Sequence, residues 1–383
     1  MLDALKDASS MLKILHTADI HLGAKFSGLG DKGVSQREQV RTTFKNIVAT
    51  AVGEKANIVL IAGDLFDSNQ QPQRNIDLVI EQFNLLQQSN IAVCLIPGTH
   101  DPFDSASIYR KVDFEGKCPT LKVFTAEDMT YQEYPNLDLT VYGKPNLSNR
   151  SYTSPLKGLK RLTSTKFHIA MAHGSLCIPE KIAEDDHVFK IDEVAASGMD
   201  YIALGHWHRK YDCSKKPPTW YAGPPEWLPD QRERGSILIV TISDTSAVKV
   251  EPKEIGLRNY DEIEIEMSEV QDATKLQEKI LQGATPNLVR QVILKGLCDA
   301  GLLIDTEGLE NEIKDKFFHL KINDRSHPML KDISAGAYEE HSIKGTFLRL
   351  MRGRIESSEG EEKSIAESAL QYGMALLEGK EVL

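Results

Sequence analysis

Five short motifs rich in histidine and aspartate, each placed where an apolar run ends, constrain this chain more than any other feature. They are Asp19-Ile20-His21, Gly63-Asp64, Gly98-Thr99-His100-Asp101, Ala172-His173-Gly174 and Gly205-His206-Trp207-His208. The runs before them, Leu12–Leu15, Ile58–Ala62, Ile91–Ile96, Phe167–Ala172 and Tyr201–Leu204, are short, bulky and β-branched, which predicts strands. Helical stretches lie between them. Gln36 to Val52 places Val40, Phe44, Ile47, Val48 and Ala51 on one face, and Asn75 to Leu86 does the same with Ile76, Val79, Ile80 and Phe83. Strands alternating with helices build a layered α/β domain. In an open α/β sheet, ligands bind outside the carboxyl ends of the strands, so the motifs can converge on one site.

The chemistry of the motifs follows from their residue types. Asp19 and His21, two apart on an extended segment, point the same way and can grip one ion. Gly63 lets the backbone come close to an ion that Asp64 can bridge, and His206 and His208 repeat the two-apart logic with imidazoles. Two carboxylates and four imidazoles are too many donors for a single tetrahedral zinc with an open position. They suit two ions ~3.5–4 Å apart that share a carboxylate and activate water against phosphorus. Mixed oxygen and nitrogen donors favour Mn, Fe or Zn over Ca or Mg alone. A lone Asp-x-His or Gly-Asp means little; the ordered set of five carries the reading. His16, His168, His187, His319, His327 and His341 lie outside the motifs and are read as packing or surface residues, with Trp207 as a packing wedge.

The 383 residues predict two or three domains, and 41% apolar residues are enough for a core. No apolar run approaches ~18 residues, so no membrane span is expected. The start, MLDALKDASS, reads as a flexible tail over residues 1–10 without a secretion signal. Five cysteines without a CxxC pair read as reduced thiols, which suits the cytoplasm. Ser236–Ile242 and Ala247–Val250 are late strands of a first domain, residues 11–255. A β-α-β-α-β pattern follows over 256–335, with strands at Tyr260–Met267, Leu288–Leu297 and His319–Ile322 and helices at Lys275–Leu281 and Leu309–Phe318. Residues 336–383 form a helical tail, Phe347–Ile355 and Ile365–Leu377 being separated by an acidic turn at Glu356–Glu362.

The chain resembles the calcineurin-like metallophosphoesterase superfamily, and within it the nuclease subunit of SbcC–SbcD-type double-strand-break repair exonucleases. The resemblance rests on LKILHTADIHLG, IAGDLFD, YIALGHWH and YAGPPEWLPDQRERG, and covers Met11 to about Val250 well. It implies an α/β (α+β) multidomain chain: a four-layer sandwich of two mixed β-sheets flanked by helices, an α/β capping domain and a helical tail. It implies that Asp19, His21, Asp64 and His208 hold one divalent ion and that Asp64, Thr99, His173 and His206 hold a second, most simply Mn²⁺, with Fe or Zn as alternatives. His100 would stabilise the transition state or protonate the leaving oxygen. The family motif is Gly-Asn-His-Asp, so Thr99 replaces a carboxamide with a shorter, weaker donor, and weaker binding of the second ion is expected. Pro224 replaces the usual Ser.

A formal net charge of -11, from 56 acids and 45 bases, confines any nucleic-acid contact to local clusters. The candidates are Lys157, Lys160, Arg161 and Lys166, then Arg209-Lys210 and Lys215-Lys216, with Tyr109-Arg110-Lys111 as a further edge. In the tail, Phe347, Met351, Ile365, Ala369, Tyr372 and Leu376 recur at helical spacing. They either fold onto their own domain or form a helix-in-groove dock. The resemblance implies that the tail binds the coiled coil of an SMC-like ATPase, and that the chain forms a homodimer. The activity expected is two-metal hydrolysis of DNA, by an exonuclease and possibly an endonuclease. The alternatives are a phosphatase or phosphodiesterase on another substrate, and a DNA-binding scaffold with a weakened second metal site.

Overall fold

The computed structural model describes residues 11–178, 181–299, 304–329, 338–339 and 341–379. The chain separates into two compact units, Met1–Asn259 and Tyr260–Leu383. The first unit begins with β1 (Leu12–Thr17), α1 (Lys32–Gly53), β2 (Ile58–Ala62), α2 (Gln73–Gln88) and β3 (Ala92–Ile96). It continues with the short α3 (Ile108–Lys111) and α4 (Phe114–Lys117), β4 (Leu121–Val123), β5 (Thr130–Tyr134) and β6 (Leu139–Gly143). Then come β7 (Phe167–His173), α5 (Ile191–Ala196), β8 (Tyr201–Gly205), β9 (Tyr211–Lys215), β10 (Pro218–Tyr221), β11 (Ser236–Ile242) and β12 (Val248–Glu254).

These strands form two mixed sheets, in the orders β12-β11-β1-β2-β3-β4 and β5-β6-β7-β8-β10-β9. β1 to β4 run parallel, with β11 antiparallel to β1. In the second sheet β6, β7, β8 and β10 are parallel, and the antiparallel β5 and β9 flank them. The inner faces meet in one core, where Ile14, Leu60 and Ile96 pack against Val141, Ile169 and Ala203. Every residue of β2, β7 and β8 is buried, which is why they read as continuous apolar runs instead of alternating ones. Register brings the carboxyl ends of β1, β2 and β3 level in one sheet, and those of β7 and β8 level in the other. All five motifs follow those ends.

The second unit contains β13 (Asn259–Glu266), α6 (Ala273–Leu281), β14 (Leu288–Lys295), β15 (Leu297–Cys298), α7 (Thr306–Ile313), β16 (His319–Asp324) and β17 (His327–Pro328). It ends in α8 (Ile343–Ser357) and α9 (Gly360–Leu377). Its main sheet has the order β13-β14-β16 over a core that includes Leu276, Val292, Leu294 and Leu320. The strand predicted to run through Leu297 is broken at Gly296, whose φ of 78° ends the ladder and sends β15 to pair with β17. The tail helices run deeper into the predicted acidic turn than its charge suggests, leaving only Ser358 and Glu359 between them. Among the described residues no helix is long and apolar enough to cross a membrane.

Candidate metal centre

The backbone aims the side chains before any side-chain bond forms. The chain after β1 lies against the chain after β2: Asp19 N–H donates to Gly63 O at 3.1 Å, His21 N–H to Asp64 O at 3.1 Å and Leu22 N–H to Leu65 O at 3.0 Å. Asp19 and His21 were expected on extended backbone. Both are instead left-handed, with φ of 54° and 51°, as are Asp64 at 52° and His206 at 103°. Such conformations cost on the order of 1–3 kcal/mol each for a non-glycine residue and persist only where the surroundings impose them. Gly63 is needed for close approach, since a Cβ there would lie 2.1 Å from His173 Nδ1.

Asp64 is the hub. Its Oδ2 lies 3.2 Å from His173 Nε2 and 3.7 Å from His21 Nε2. The Thr99 hydroxyl donates to the same oxygen at 3.2 Å and is 3.3 Å from His173 Nε2. Oδ1 accepts the His100 N–H at 2.8 Å. Asp19 accepts the His206 N–H at 2.9 Å and comes within 4.0 Å of His173 Nδ1. Two groups of donor atoms are close enough to share an ion: Asp19, His21 and His208, and Asp19, Asp64 and His173; a third comprises His21, Asp67 and His100. Asp19, His21, Asp64 and His173 are buried, while His206 and His208 are half-buried.

In each of four rings one nitrogen bonds a carboxylate or carbonyl other than those of Asp19 and Asp64. His21 Nδ1 is 3.2 Å from Asp67, His208 Nδ1 is 2.8 Å from Asp230, and His173 Nδ1 donates to the Ala62 carbonyl at 2.9 Å. His206 bonds Asp186 through Nε2 at 3.1 Å, which leaves its Nδ1. His21 Nε2 and His208 Nε2 then face each other across 3.2 Å. Two lone pairs at that distance repel unless a cation or a proton lies between them, and acid-backed imidazoles are the usual dress of metal ligands. The donor set therefore fits divalent cations, with nitrogen and oxygen mixed as Mn, Fe or Zn prefer.

The carboxylates draw positive charge into the site. Burial pushes the Asp64 carboxyl upward, but the facing His173, His21 and His100 outweigh it and hold it well below the usual range. For His173 burial acts downward, and the charges of Asp64 and Asp19 overcome it, raising the ring to about 9. His21 is raised on the same balance, with Asp67 adding its bond. Asp101 is raised to about 6 by burial and by the charge of Asp64. It holds the Gly98 and Phe66 N–H groups and the Tyr109 hydroxyl, so it ties the loop of Thr99 and His100 to that of Asp64. His100 is half exposed, with Nδ1 3.3 Å from the Asp67 carbonyl.

A cavity of about 710 Å³ opens over Asp64, Thr99, His100, His206 and His208, with Trp207 in its wall. Trp207 is a wedge as expected: it stacks on Tyr221 at 4.6 Å and donates to the Ser175 hydroxyl. Among the predicted cations whose side chains are described, only Arg209 lines this cavity; its guanidinium lies over the Trp207 and Tyr211 rings. The others are not brought there. Arg161 pairs with Asp200 and Lys166 with Asp244, at the amino ends of β7 and β8, opposite the motifs. β9 carries the chain away from His208, so the turn at Lys216 sits level with the start of β8. The backbone of Lys215 shares that turn, and its side chain lies outside the described structure. Lys157 and Lys160 are exposed, and the Lys210 N–H is bonded to Glu233. Lys181 and Arg232, which line the cavity, escaped the sequence reading because neither sits in a basic run. Asp67, Asp186 and Asp230 escaped it because their histidine partners come from distant loops, although Asp67 lies in IAGDLFD and Asp230 in YAGPPEWLPDQRERG.

In the tail, the six predicted docking positions divide. Phe347 and Met351 pack beside the buried Leu348, Leu370 and Met374, and Tyr372 bonds Glu266 at 2.7 Å. Ile365, Ala369 and Leu376 are exposed.

Residues 12–210 match the family model described as calcineurin-like phosphoesterase. Among curated relatives, the uncharacterized metallophosphoesterase YhaO of Bacillus subtilis is 26% identical over 213 residues, 54% of this chain and 51% of that protein. The DNA double-strand break repair protein Mre11 of Aeropyrum pernix is 28% identical, over 68% of this chain and 64% of its own. A nuclease SbcCD subunit of Staphylococcus epidermidis is 22% identical, over 84% of this chain and 82% of its own. The chain thus spans about half the length of the first relative and under two thirds of the second. The matched stretch starts with β1 and ends two residues beyond His208, enclosing all five motifs, and the chain belongs to the calcineurin-like phosphoesterase family.

Proposed function

We propose that this chain is a metal-dependent phosphodiesterase that cuts DNA. The observation that carries the reading is the buried carboxylate of Asp64, whose Oδ2 is shared by His21, His173 and Thr99. Asp19, His21, Asp64 and His208 would hold one divalent ion, and Asp64, Thr99, His173 and His206 a second, with Mn²⁺ the first choice. Bound there, the ions would supply Lewis-acid charge and a water of lowered pKa. The Thr99 hydroxyl lies within reach of both Asp64 and His173, which supports it as the donor that replaces an amide. His100 has Nδ1 on the Asp67 carbonyl and lines the cavity, where it can hand a proton to the leaving oxygen.

The relatives named for DNA repair support DNA as substrate. For a partner we propose a separate SMC-like ATPase, with the exposed Ile365, Ala369 and Leu376 as part of the dock. We place the chain in the cytoplasm and read dimerisation as a property of the same group. The test is digestion of linear duplex DNA with Mn²⁺, beside a diester and a monoester reporter. Asp64→Asn should lower DNA cleavage at least a hundredfold. Cleavage that survives the substitution, or a preference for the monoester, would defeat the reading.

A further inference from the structure

The segment 222–235 is a motif to which the proposed chemistry gives no task. Glu226 in it is buried, 2% exposed, and both its oxygens are saturated. Oε2 accepts from the Thr43 hydroxyl at 2.7 Å, from Gln39 at 3.3 Å and from the Leu257 N–H at 2.9 Å. Oε1 accepts from the N–H groups of Trp227 at 3.0 Å and Arg258 at 3.1 Å. One carboxylate thus ties α1, the loop itself and the chain leading out of the first unit. The loop is also braced from within. Trp227 Nε1–H donates to the Gln231 carbonyl at 3.1 Å, Gln231 Nε2 to the Pro224 carbonyl at 3.2 Å, and the Leu228 N–H to Gln231 Oε1 at 3.2 Å. Gln36 on α1 adds a bond to the Trp227 carbonyl at 2.9 Å.

Beside the buried Gln231 stands Asp230, exposed to water, with its two oxygens 2.9 and 2.8 Å from His208 Nδ1. An exposed acid on a loose loop would hold an imidazole weakly, because ordering both partners cancels most of the attraction. Here the loop is already ordered by its own buried bonds, so Asp230 is fixed before it meets the ring.

We propose that Glu226 and Asp230 are positioning residues of the metal centre: Glu226 fixes the loop, and Asp230 on that loop fixes His208 with Nε2 turned toward His21. The proposal rests on reading His208 as a metal ligand and not on the identity of the substrate.

The experiment measures Mn²⁺ binding to the full chain by calorimetry and by electron paramagnetic resonance, with thermal midpoints recorded in chelator. Asp230→Ala should weaken the site holding His208 by about 10–100-fold, the usual cost of removing the acid behind a ligating histidine. Its midpoint in chelator should stay unchanged. Asp230→Asn should recover part of the affinity, because an amide oxygen still accepts from Nδ1–H. Glu226→Gln sets an NH₂ group against N–H donors and should lower both the midpoint and the affinity. Should it fail to fold, Gln231→Ala loosens the same loop more gently. Combined with Asp230→Ala, either loop variant should add no further loss of affinity, since both act through one ring. Asp230→Ala binding within twofold of wild type, or losses that multiply in the double variant, would overturn the proposal. A wild type that binds Mn²⁺ without cutting DNA would defeat the nuclease reading and leave this one standing; one that binds no Mn²⁺ would overturn both.

Discussion

The His16 imidazole lies fully buried in β1, with Nδ1 2.9 Å from the Tyr201 hydroxyl and Nε2 3.1 Å from the Leu204 carbonyl. A carbonyl only accepts, so Nε2 carries the proton and the hydroxyl donates to Nδ1: a neutral ring that bridges the two sheets. Burial lowers its pKa from 6.5 to about 3, against a smaller opposing effect of the Leu204 carbonyl. The sign of the consequence is definite. Below pH 6.5 the unfolded chain takes up a proton that the folded chain refuses until about 3, so this site loses stability as pH falls through that window. The loss approaches about 1.4 kcal/mol per pH unit. His16→Gln removes the titration, so its stability deficit against wild type in urea should narrow between pH 6 and pH 4; parallel curves would contradict this. At this scale the residues that converge on the site were readable, since Asp19, Asp64, His173 and His208 announce themselves through neighbours in sequence. Their supporting acids were not, because the pairing of His208 with Asp230 or His206 with Asp186 is made by loop closure across distant segments.

Among the elements, the buried strands β1, β2, β3, β7 and β8 were legible as apolar runs, and α1 and α2 as periodic faces. β4, β5, β6, β9 and β10 were missed: all are short, β6 is buried but interrupted by Thr140, and β5, β9 and β10 are rich in polar and aromatic residues at or near a sheet edge. β14 was drawn too long because Leu297 continues its composition, while the backbone conformation of Gly296 is invisible to hydropathy. The tail helices allow a direct comparison. Met374 is fully buried between α8 and α9, whereas Ile365 is 63% and Leu376 44% exposed. Met374→Ala should therefore cost about 2–4 kcal/mol in denaturant unfolding. Ile365→Ser and Leu376→Ser should each stay within about 0.5 kcal/mol of wild type. Exposed apolar side chains whose loss leaves the fold untouched are what a docking face requires; a large destabilisation would instead assign them to their own unit.

For the whole molecule, the net charge of -11 leaves little general attraction for a polyanion, and the fold divides the cations that exist. Arg209 lines the cavity, while Arg161, Lys166 and Lys216 lie at the other ends of the strands. The dependence of DNA binding on salt reads this division. Arg209→Ala should reduce the slope of log affinity against log salt by about one, and Lys216→Ala should leave it unchanged. An equal effect from both would mean that the duplex reaches both ends of the strands. The two-unit organisation has a mechanical side as well. The chain passes into the second unit after Asn259, so a pull on that unit arrives first at Arg258 and Leu257, whose N–H groups are held by Glu226. Tension would be borne at one buried carboxylate, on the loop that also carries Asp230, the partner of His208, so the bonds that anchor this loop would be the first to yield.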